Sequence, residues 1–163
     1  MVLLCMSTHE QFFKTEYIPL LNQLSDNEVG LWGVLSPQGM IEHMTDAFGN
    51  AHGRIHLPQQ TPETVLPKMR AFALSETLFK ENTKNSLMSE TPAPLRNHSM
   101  AEAIAELEKE IAIFLEYYKQ HSDATHLNPF FGEFNYQEWL HILYKHANHH
   151  LKQFNLIKCV IYF

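Results

Sequence analysis

Four histidines lie close together near the end of the chain, in the stretch HILYKHANHHLKQF that runs from His141 to Phe154. Imidazole nitrogens are common ligands of divalent metal ions, and two histidines at positions i and i+4 of a helix project from one face, about 5–6 Å apart. His146 and His150 have this spacing. The stretch is therefore either a solvated polar face of a helix or a source of inward-pointing metal ligands.

The position of each histidine around the helix favours the second alternative for two of them. Because an α-helix turns by about 100° per residue, setting His146 at 0° places His150 at about 40°. Between about 20° and 80° the same helix presents an apolar stripe, which is formed by Trp139, Leu143 and Phe154. His149, at about −60°, lies at the edge of this stripe, where it could support a ligand. His141, at about −140°, lies on the polar face.

A third imidazole must come from another part of the chain. His43 lies in an earlier predicted helix, in the sequence MIEHM, beside that helix's apolar stripe, whereas His52 and His56 fall near its glycine-marked end. We therefore predict that His43, His146 and His150 bind one divalent ion, with Zn²⁺ and Ni²⁺ as the best candidates. Three protein ligands would leave at least one coordination position open for water or substrate.

The same histidines have a second interpretation, which needs no metal ion. A single histidine on an apolar stripe is more often a core residue with a hydrogen-bond partner than a ligand. Two buried imidazoles, however, each need a partner and each lose their charged form to desolvation, and one shared cation accounts for both. The alternative that stays open is a non-catalytic helical bundle that binds a small molecule or a protein partner, with structural or pH-responsive histidines.

Four predicted helices must position these residues, and the first three begin after a side chain that can cap the N-terminus, namely Ser7, Ser36 and Ser99. The fourth helix begins near Asn135. Pro19 should kink the first helix, and the second should end at about Gly49 or Gly53. The third helix has the clearest amphipathic pattern, and the fourth contains the four histidines.

A long segment, residues 54–98, separates the second and third helices and contains five of the eight prolines. Connections of this length are usually partly ordered, and we predict a helix over residues 67–80 within it. Because no run of alternating strands is convincing, the pattern predicts an all-α fold, a four-helix bundle with one long crossover between the second and third helices. The two apolar ends, MVLLCM and KCVIYF, could pair as a short ribbon.

Length and composition limit the class of protein. A chain of 163 residues, 45% of them hydrophobic, is predicted to form one domain over residues 1–163, with its core at about 7–157 and the tail 158–163 unplaced. The net charge of −6 is spread without a long like-charged run, which argues against a nucleic-acid or polybasic membrane surface. The chain shows neither a signal peptide nor the roughly 20 apolar residues of a transmembrane helix. With two cysteines, Cys5 and Cys159, we expect free thiols in a soluble, cytoplasmic protein.

Three stretches around the histidines resemble the DinB-like superfamily of four-helix proteins, in particular a branch of DinB-related proteins of unknown function. The matching stretches are PQGMIEHM in the second helix, NPFFGEFNYQEWLHILYKH leading into the fourth, and HANHHLKQF further along it. The resemblance covers the chain from about Ser36 to Phe154. Asn128 departs from the family pattern, in which a histidine commonly precedes the Pro-Phe-Phe-Gly turn.

This resemblance implies an up-down-down-up bundle, a homodimer and a divalent metal ion, often nickel or zinc. In such proteins one histidine of the second helix and an H-x-x-x-H pair of the fourth bind the ion, and these positions correspond to His43, His146 and His150. The resemblance also implies a small-molecule substrate and one of two activities. These are metal-dependent hydrolysis and transfer to or from a low-molecular-weight thiol.

A hydrolase of this kind needs a group that moves the proton of a metal-bound water. An ion with an open position can lower the pKa of bound water to about 7, or deprotonate a bound thiol. Glu42, Asp46 and Glu133 are the nearest carboxylates in sequence, although their spacing places none of them on the metal-facing side. Each is more often a solvated surface residue, so the catalytic residue stays open.

Overall fold

A computed structural model describes residues 8–83, 85–88 and 90–157 of the chain. The described residues form helices and one small β-hairpin, so the predicted all-α fold is confirmed. The helices are α1 (Thr8–Thr15), α2 (Tyr17–Leu21), α3 (Pro37–Ala51), α4 (Leu66–Leu74), α5 (Met100–Gln120) and α6 (Tyr136–Gln153), and the strands are β1 (His126–Asn128) and β2 (Gly132–Phe134).

The four predicted bundle helices correspond to α1 with α2, then α3, α5 and α6. Helix α3 packs against α5 and α6, α1 packs against α6, and α2 packs against α5. The core between them includes the fully buried side chains of Tyr17, Phe48, Phe114 and Trp139. Burying a large apolar side chain contributes about 1.5–3 kcal/mol, so this core fixes α3 beside α6. None of the helices in the described ranges is both long and apolar enough to cross a membrane.

The first predicted helix is broken, as Pro19 suggests. Helix α1 ends at Thr15, and α2 begins at Tyr17 after Glu16, whose φ is −117°. Proline lacks the N–H that would bond to the carbonyl four residues earlier, and its ring collides with that carbonyl, which here belongs to Thr15. The kink is therefore confirmed, whereas Ser7, the predicted cap of α1, lies outside the described residues.

The predicted caps at Ser36 and Ser99 are formed, at the start of α3 and α5. Helix α6 begins after Asn135, as predicted, and the structure shows that Asn135 caps it. At the start of α6, Asn135 Oδ1 accepts the N–H of Glu138 at 3.1 Å, and the Glu138 carboxylate accepts the N–H of Asn135 at 3.0 Å. Such caps contribute about 0.5–2 kcal/mol each and fix where a helix starts. Helix α3 ends at Ala51, within the predicted range.

The crossover between α3 and α5 contains α4, which is shorter than the predicted helix over residues 67–80. It ends at Leu74 because Ser75 adopts an extended backbone with ψ at 167°. The ammonium group of Lys145 on α6 donates to the carbonyls of Phe72 and Ser75, at 2.9 and 3.1 Å. A lysine that satisfies the last carbonyls of a helix stabilises that end. These bonds hold the crossover against α6.

The hairpin of β1 and β2 lies just before α6 and is not predicted by the sequence. Its antiparallel register pairs His126 with Phe134 and Asn128 with Gly132. Strands of three residues are too short to show an alternating pattern, and Gly132 supplies the positive φ of 90° that the turn requires. The predicted ribbon between the two chain ends, and the tail 158–163, lie outside the described residues.

Candidate metal centre

The three histidines predicted as metal ligands meet between α3 and α6, and we call His43, His146 and His150 the histidine triad. The Nε2 atom of His146 is 3.0 Å from Nε2 of His43 and 3.0 Å from Nε2 of His150. One ligand atom of each ring lies within 4.8 Å of the others, and within the described ranges no other group of three metal-binding side chains does so. The bundle thus brings together His43 and His146, which are 103 positions apart in sequence.

Burial keeps the three imidazoles neutral. His150 is 6% exposed, and His43 and His146 are half-buried. Burial, assisted by His149, lowers the pKa of His43 to about 4. Burial, assisted by His43, lowers the pKa of His150 to about 3, and burial and the neighbouring rings lower the pKa of His146 well below its usual value. A neutral imidazole has the lone pair that a metal ion requires.

The two contacts between Nε2 atoms cannot both be hydrogen bonds. A neutral imidazole has one N–H and one lone pair. If Nε2 of His146 carries the proton, it can donate to one neighbour, and if it does not, its lone pair can accept from one neighbour. One of the two 3.0 Å contacts is therefore left without a hydrogen bond. A shared cation removes this deficit because it accepts a lone pair from each nitrogen.

The spacing of the donors also fits a transition metal ion. Two nitrogens that are each about 2.0–2.1 Å from one ion, at an angle of about 90–110°, are about 2.8–3.4 Å apart. Two of the three separations, 3.0 Å each, fall in this range, and the ligand atoms of the third pair, His43 and His150, lie within 4.8 Å of each other. Imidazole suits Zn²⁺ and Ni²⁺ alike, so the donors do not select one of them. The triad could therefore hold a divalent ion of this class.

Comparison with known families places the whole triad inside one matched region. The sequence profile of the DinB superfamily matches residues 15–154. The chain belongs to the DinB superfamily. No curated protein and no solved structure matches it. The predicted resemblance is thus confirmed at the level of the superfamily.

Beside the triad, this DinB-superfamily protein has a small pocket with aromatic walls. Trp32, from the loop after α2, and Phe79, from the crossover, both line it together with His149. The ring centroid of Phe79 lies 6.3 Å from that of His146 and 6.0 Å from that of His149, which in turn lies 5.4 Å from the ring of Trp32. His149, predicted at the edge of the core stripe, therefore forms a wall of the pocket, 5.3 Å from the ring of His150.

Two of the three carboxylates considered for proton transfer are engaged with the crossover. The Glu42 carboxylate accepts the backbone N–H groups of Arg96 and Asn97 at 2.9 and 3.0 Å. Burial alone would raise the pKa of Glu42, but these donors and neighbouring side-chain amides lower it. Asp46 pairs with Arg96 at 3.1 Å, and Glu133 is exposed on β2. In the described part of the chain, none of the three hydrogen-bonds to the triad.

Two further residues of the sequence prediction also lie away from the triad. Nε2 of His141 is 3.3 Å from the carbonyl oxygen of Ser75, and its ring centroid lies 5.6 Å from that of His9. Asn128, which stands where the family commonly has a histidine, accepts the N–H of Phe130 through Oδ1 at 3.0 Å. It therefore stabilises the hairpin turn.

Two residues near the triad were not identified from the sequence. Oε1 of Gln153 is 2.7 Å from Nδ1 of His150, and Nε2 of Gln153 is 2.7 Å from the carbonyl oxygen of Trp32. The spacing of three residues between His150 and Gln153 on one helix is a signal that could have revealed this contact. Lys145, 1% exposed, bonds to carbonyls of the crossover, such as that of Phe72. No local pattern predicts that contact, because the acceptors are distant backbone groups.

Proposed function

We propose that the histidine triad binds one divalent metal ion and that the protein is a metal-dependent enzyme. It acts on a small molecule, either as a hydrolase or as a thiol-dependent transferase. The observation that supports the proposal most directly is the meeting of three neutral Nε2 atoms, with two separations of 3.0 Å and at most one hydrogen bond between them. Structural histidines in a core each have their own hydrogen-bond partner. Membership of the DinB superfamily, which is associated with metal ions, adds support.

The proposal gives each neighbouring group a definite role. When bound, an ion with a free coordination position acts as a Lewis acid toward a small substrate or thiol. His43 holds it from α3, and His146 and His150 hold it from α6. Trp32 and Phe79 form aromatic walls of the pocket beside the triad, which Glu81, Lys145 and Lys152 also line, and a bound substrate would pack against these walls. Glu42 and Asp46 keep the crossover in place.

Several features stay predictions that accompany this proposal. They are a single domain over residues 1–163, a cytoplasmic location, a homodimer, and zinc or nickel as the ion. A small-molecule substrate, with a low-molecular-weight thiol as one option, belongs to the same set. They follow from the composition and from the family resemblance.

Metal analysis of the purified protein tests the binding step. The protein should be made without a histidine tag, because a tag binds nickel and zinc itself. We expect about one zinc or nickel ion per chain by inductively coupled plasma mass spectrometry, and none in His150→Ala. His141→Ala is the matched control. His141 is on the same helix, but its ring contacts the carbonyl oxygen of Ser75 and not the triad. Metal-free protein whose melting temperature ignores added zinc, nickel and chelator would refute the site.

Turnover requires a separate experiment. Metal-loaded protein, chelator-treated protein and His150→Ala are compared on a panel of small esters, and of low-molecular-weight thiols each paired with an electrophilic acceptor. If the protein is a metal-dependent enzyme, only the metal-loaded sample should give product. A protein that binds one ion per chain but converts none of the panel compounds would support the non-catalytic bundle instead.

A further inference from the structure

The side chain of Gln153 joins the histidine triad to the loop of residues 30–33, which we call the Trp32 loop. Gln153 is the last residue of α6 and is 3% exposed. Both polar atoms of its amide have a partner at 2.7 Å, Nδ1 of His150 on one side and the carbonyl oxygen of Trp32 on the other. This amide is the side-chain partner of the triad on the face opposite the Nε2 atoms.

The two partners together determine where the proton of His150 lies. The carbonyl of Trp32 can only accept, so the amide must present its N–H to that carbonyl. The amide oxygen then faces Nδ1 of His150, and an oxygen without a proton can only accept. Nδ1 must therefore carry the N–H of the neutral ring. Its Nε2 is left with a free lone pair, directed at the other triad nitrogens.

The Trp32 loop fits closely around the Gln153 side chain. The N–H of Leu31 donates to the backbone carbonyl of Gln153 at 2.8 Å, which holds the loop against the end of α6. Gly33 has a φ of +77°, and a Cβ atom there would lie 2.8 Å from Nε2 of Gln153. A Cβ at Gly30 would lie 3.1 Å from Cγ of the same side chain. The positive φ favours glycine at position 33, and both glycines let the Trp32 loop pack directly against the Gln153 side chain.

We propose that Gln153 is a positioning residue that holds His150 in the tautomer with its proton on Nδ1 and ties this choice to the Trp32 loop. The link to metal affinity rests on the proposed function, whereas the tautomer does not. Groups that hydrogen-bond to the far nitrogen of a ligating histidine orient the ring, and their loss typically lowers metal affinity by about 10–100-fold. Gln153 would have this effect through His150 without touching the ion.

The tautomer can be read in the metal-free protein, independently of metal binding. Long-range ¹H–¹⁵N spectra of chelator-treated, ¹⁵N-histidine-labelled protein at pH 7.5 distinguish protonation at Nδ1 from protonation at Nε2. The His150 signals are assigned by their loss in His150→Gln. We expect the proton on Nδ1 in the natural chain and a loss of this preference in Gln153→Met, which keeps the length of the side chain but has no acceptor oxygen. A natural chain with the proton on Nε2 of His150 would overturn the proposal, even if the variant does not fold.

Two further variants separate positioning from general stability. Gln153→Glu keeps an acceptor oxygen for His150 but turns an oxygen, in place of the donor, toward the Trp32 carbonyl, so it should retain the tautomer, weaken the contact with the Trp32 loop and bind zinc more tightly than Gln153→Met. Asn148→Leu is the matched control, because Asn148 is a buried amide on the same helix that donates to the Tyr144 carbonyl at 2.8 Å. Asn148→Leu should change neither the tautomer of His150 nor the zinc affinity, even if it lowers the melting temperature.

Zinc titrations then complete the test. We expect Gln153→Met to bind zinc roughly 10–100-fold more weakly than the natural chain. Two results would contradict the positioning role while leaving the metal site in place. One is equal zinc affinity in Gln153→Met and the natural chain, and the other is an equal loss of zinc affinity in Gln153→Glu and Gln153→Met. A natural chain that shows the Nδ1 tautomer but binds no zinc or nickel would refute the proposed function and retain the inference about His150.

Discussion

In the described part of the chain, buried histidines lie in two places, and the two places differ in what surrounds them. In the histidine triad, three rings lie close to one another, and the neutral amide of Gln153 hydrogen-bonds to one of them, His150. At the end of α3, His52 is also buried, but its Nε2 lies 2.7 Å from Oε1 of Glu110, which also accepts from Arg54 at 2.6 Å. The second cluster supplies its own charges, whereas the first does not.

This difference separates a structural histidine from a candidate ligand. A buried polar group that has a charged partner of its own is satisfied within the fold, and further ligands would only displace that partner. Three neutral imidazoles with one hydrogen bond too few could instead be satisfied by a cation from outside the chain. Burial alone therefore does not identify a metal site. The composition of the neighbours does.

The largest expected effect distinguishes the two places by metal binding. His146→Ala removes the ring whose Nε2 lies 3.0 Å from both other triad nitrogens, so zinc or nickel affinity should fall by at least about 100-fold. His52→Ala should leave the affinity unchanged. Isothermal titration of metal-free protein measures both. Similar losses in the two variants would show that the comparison is mistaken.

In the metal-free protein, the triad should make the free energy of unfolding depend on pH. The pKa of His43 falls from 6.5 to about 4 and that of His150 to about 3 on folding, so the unfolded chain binds protons more readily than the native one. The contribution of His43 and His150 to the free energy of unfolding is therefore fully present above about pH 6.5, and it is lost as the pH falls below that value. At pH 5 each depressed imidazole should cost on the order of 2 kcal/mol relative to pH 7.5. Urea unfolding at both pH values measures this loss.

A variant provides the control for that pH dependence. His43→Ala removes one titrating ring and should reduce the loss between pH 7.5 and pH 5, because fewer protons are taken up on unfolding. His52→Ala leaves the triad intact and should keep the contribution of the triad to this loss. An unchanged dependence in His43→Ala would mean that the triad does not govern it.

The cluster of His52, Arg54 and Glu110 should instead affect the free energy of unfolding at neutral pH. His52→Ala removes one of the two groups that hydrogen-bond to Oε1 of the buried Glu110 carboxylate and leaves Arg54 in place. The free energy of unfolding should fall by about 1–3 kcal/mol, while metal stoichiometry stays the same. Chemical denaturation and metal analysis on one sample check both statements. A stable variant that has lost its metal would reverse the assignment of the two places.

The smallest effect concerns Glu42, which is next to His43 in sequence but faces the crossover. Glu42→Gln replaces the charged acceptor of the Arg96 and Asn97 N–H groups by a neutral one. We expect a loss of about 1 kcal/mol in unfolding free energy and an unchanged zinc affinity. A matched change at the exposed Glu133 should alter neither. A large fall in zinc affinity in Glu42→Gln would bring this carboxylate back into the site.

Much of the fold could be predicted because its signals are local. The caps at Ser36, Ser99 and Asn135 and the break before Pro19 depend on residues within one helical turn. The same holds for the inward direction of His146 and His150, which follows from the period of α6. The hairpin was missed because three-residue strands are shorter than a recognisable alternation.

The functions of individual side chains around the triad could be predicted less well. The position of Glu42 in the sequence, next to His43, suggests a role in proton transfer, but the backbone N–H groups of Arg96 and Asn97, more than fifty residues away, hold its carboxylate. Gln153 appeared in the stretch that carries the family resemblance, yet its orientation depends on the carbonyl of Trp32. When the hydrogen-bond partner of a residue lies far away in the chain, the sequence near that residue contains no pattern that predicts the contact.

By itself, the sequence determined which residues could serve as ligands and which face of α6 presents two of them. The period of a helix fixes those directions without reference to the remaining chain. The tertiary structure decided that His43 meets that pair, and that Gln153 and the Trp32 loop stand behind His150. These contacts depend on how α3 and the loop are placed against α6, and packing of the whole core sets that placement.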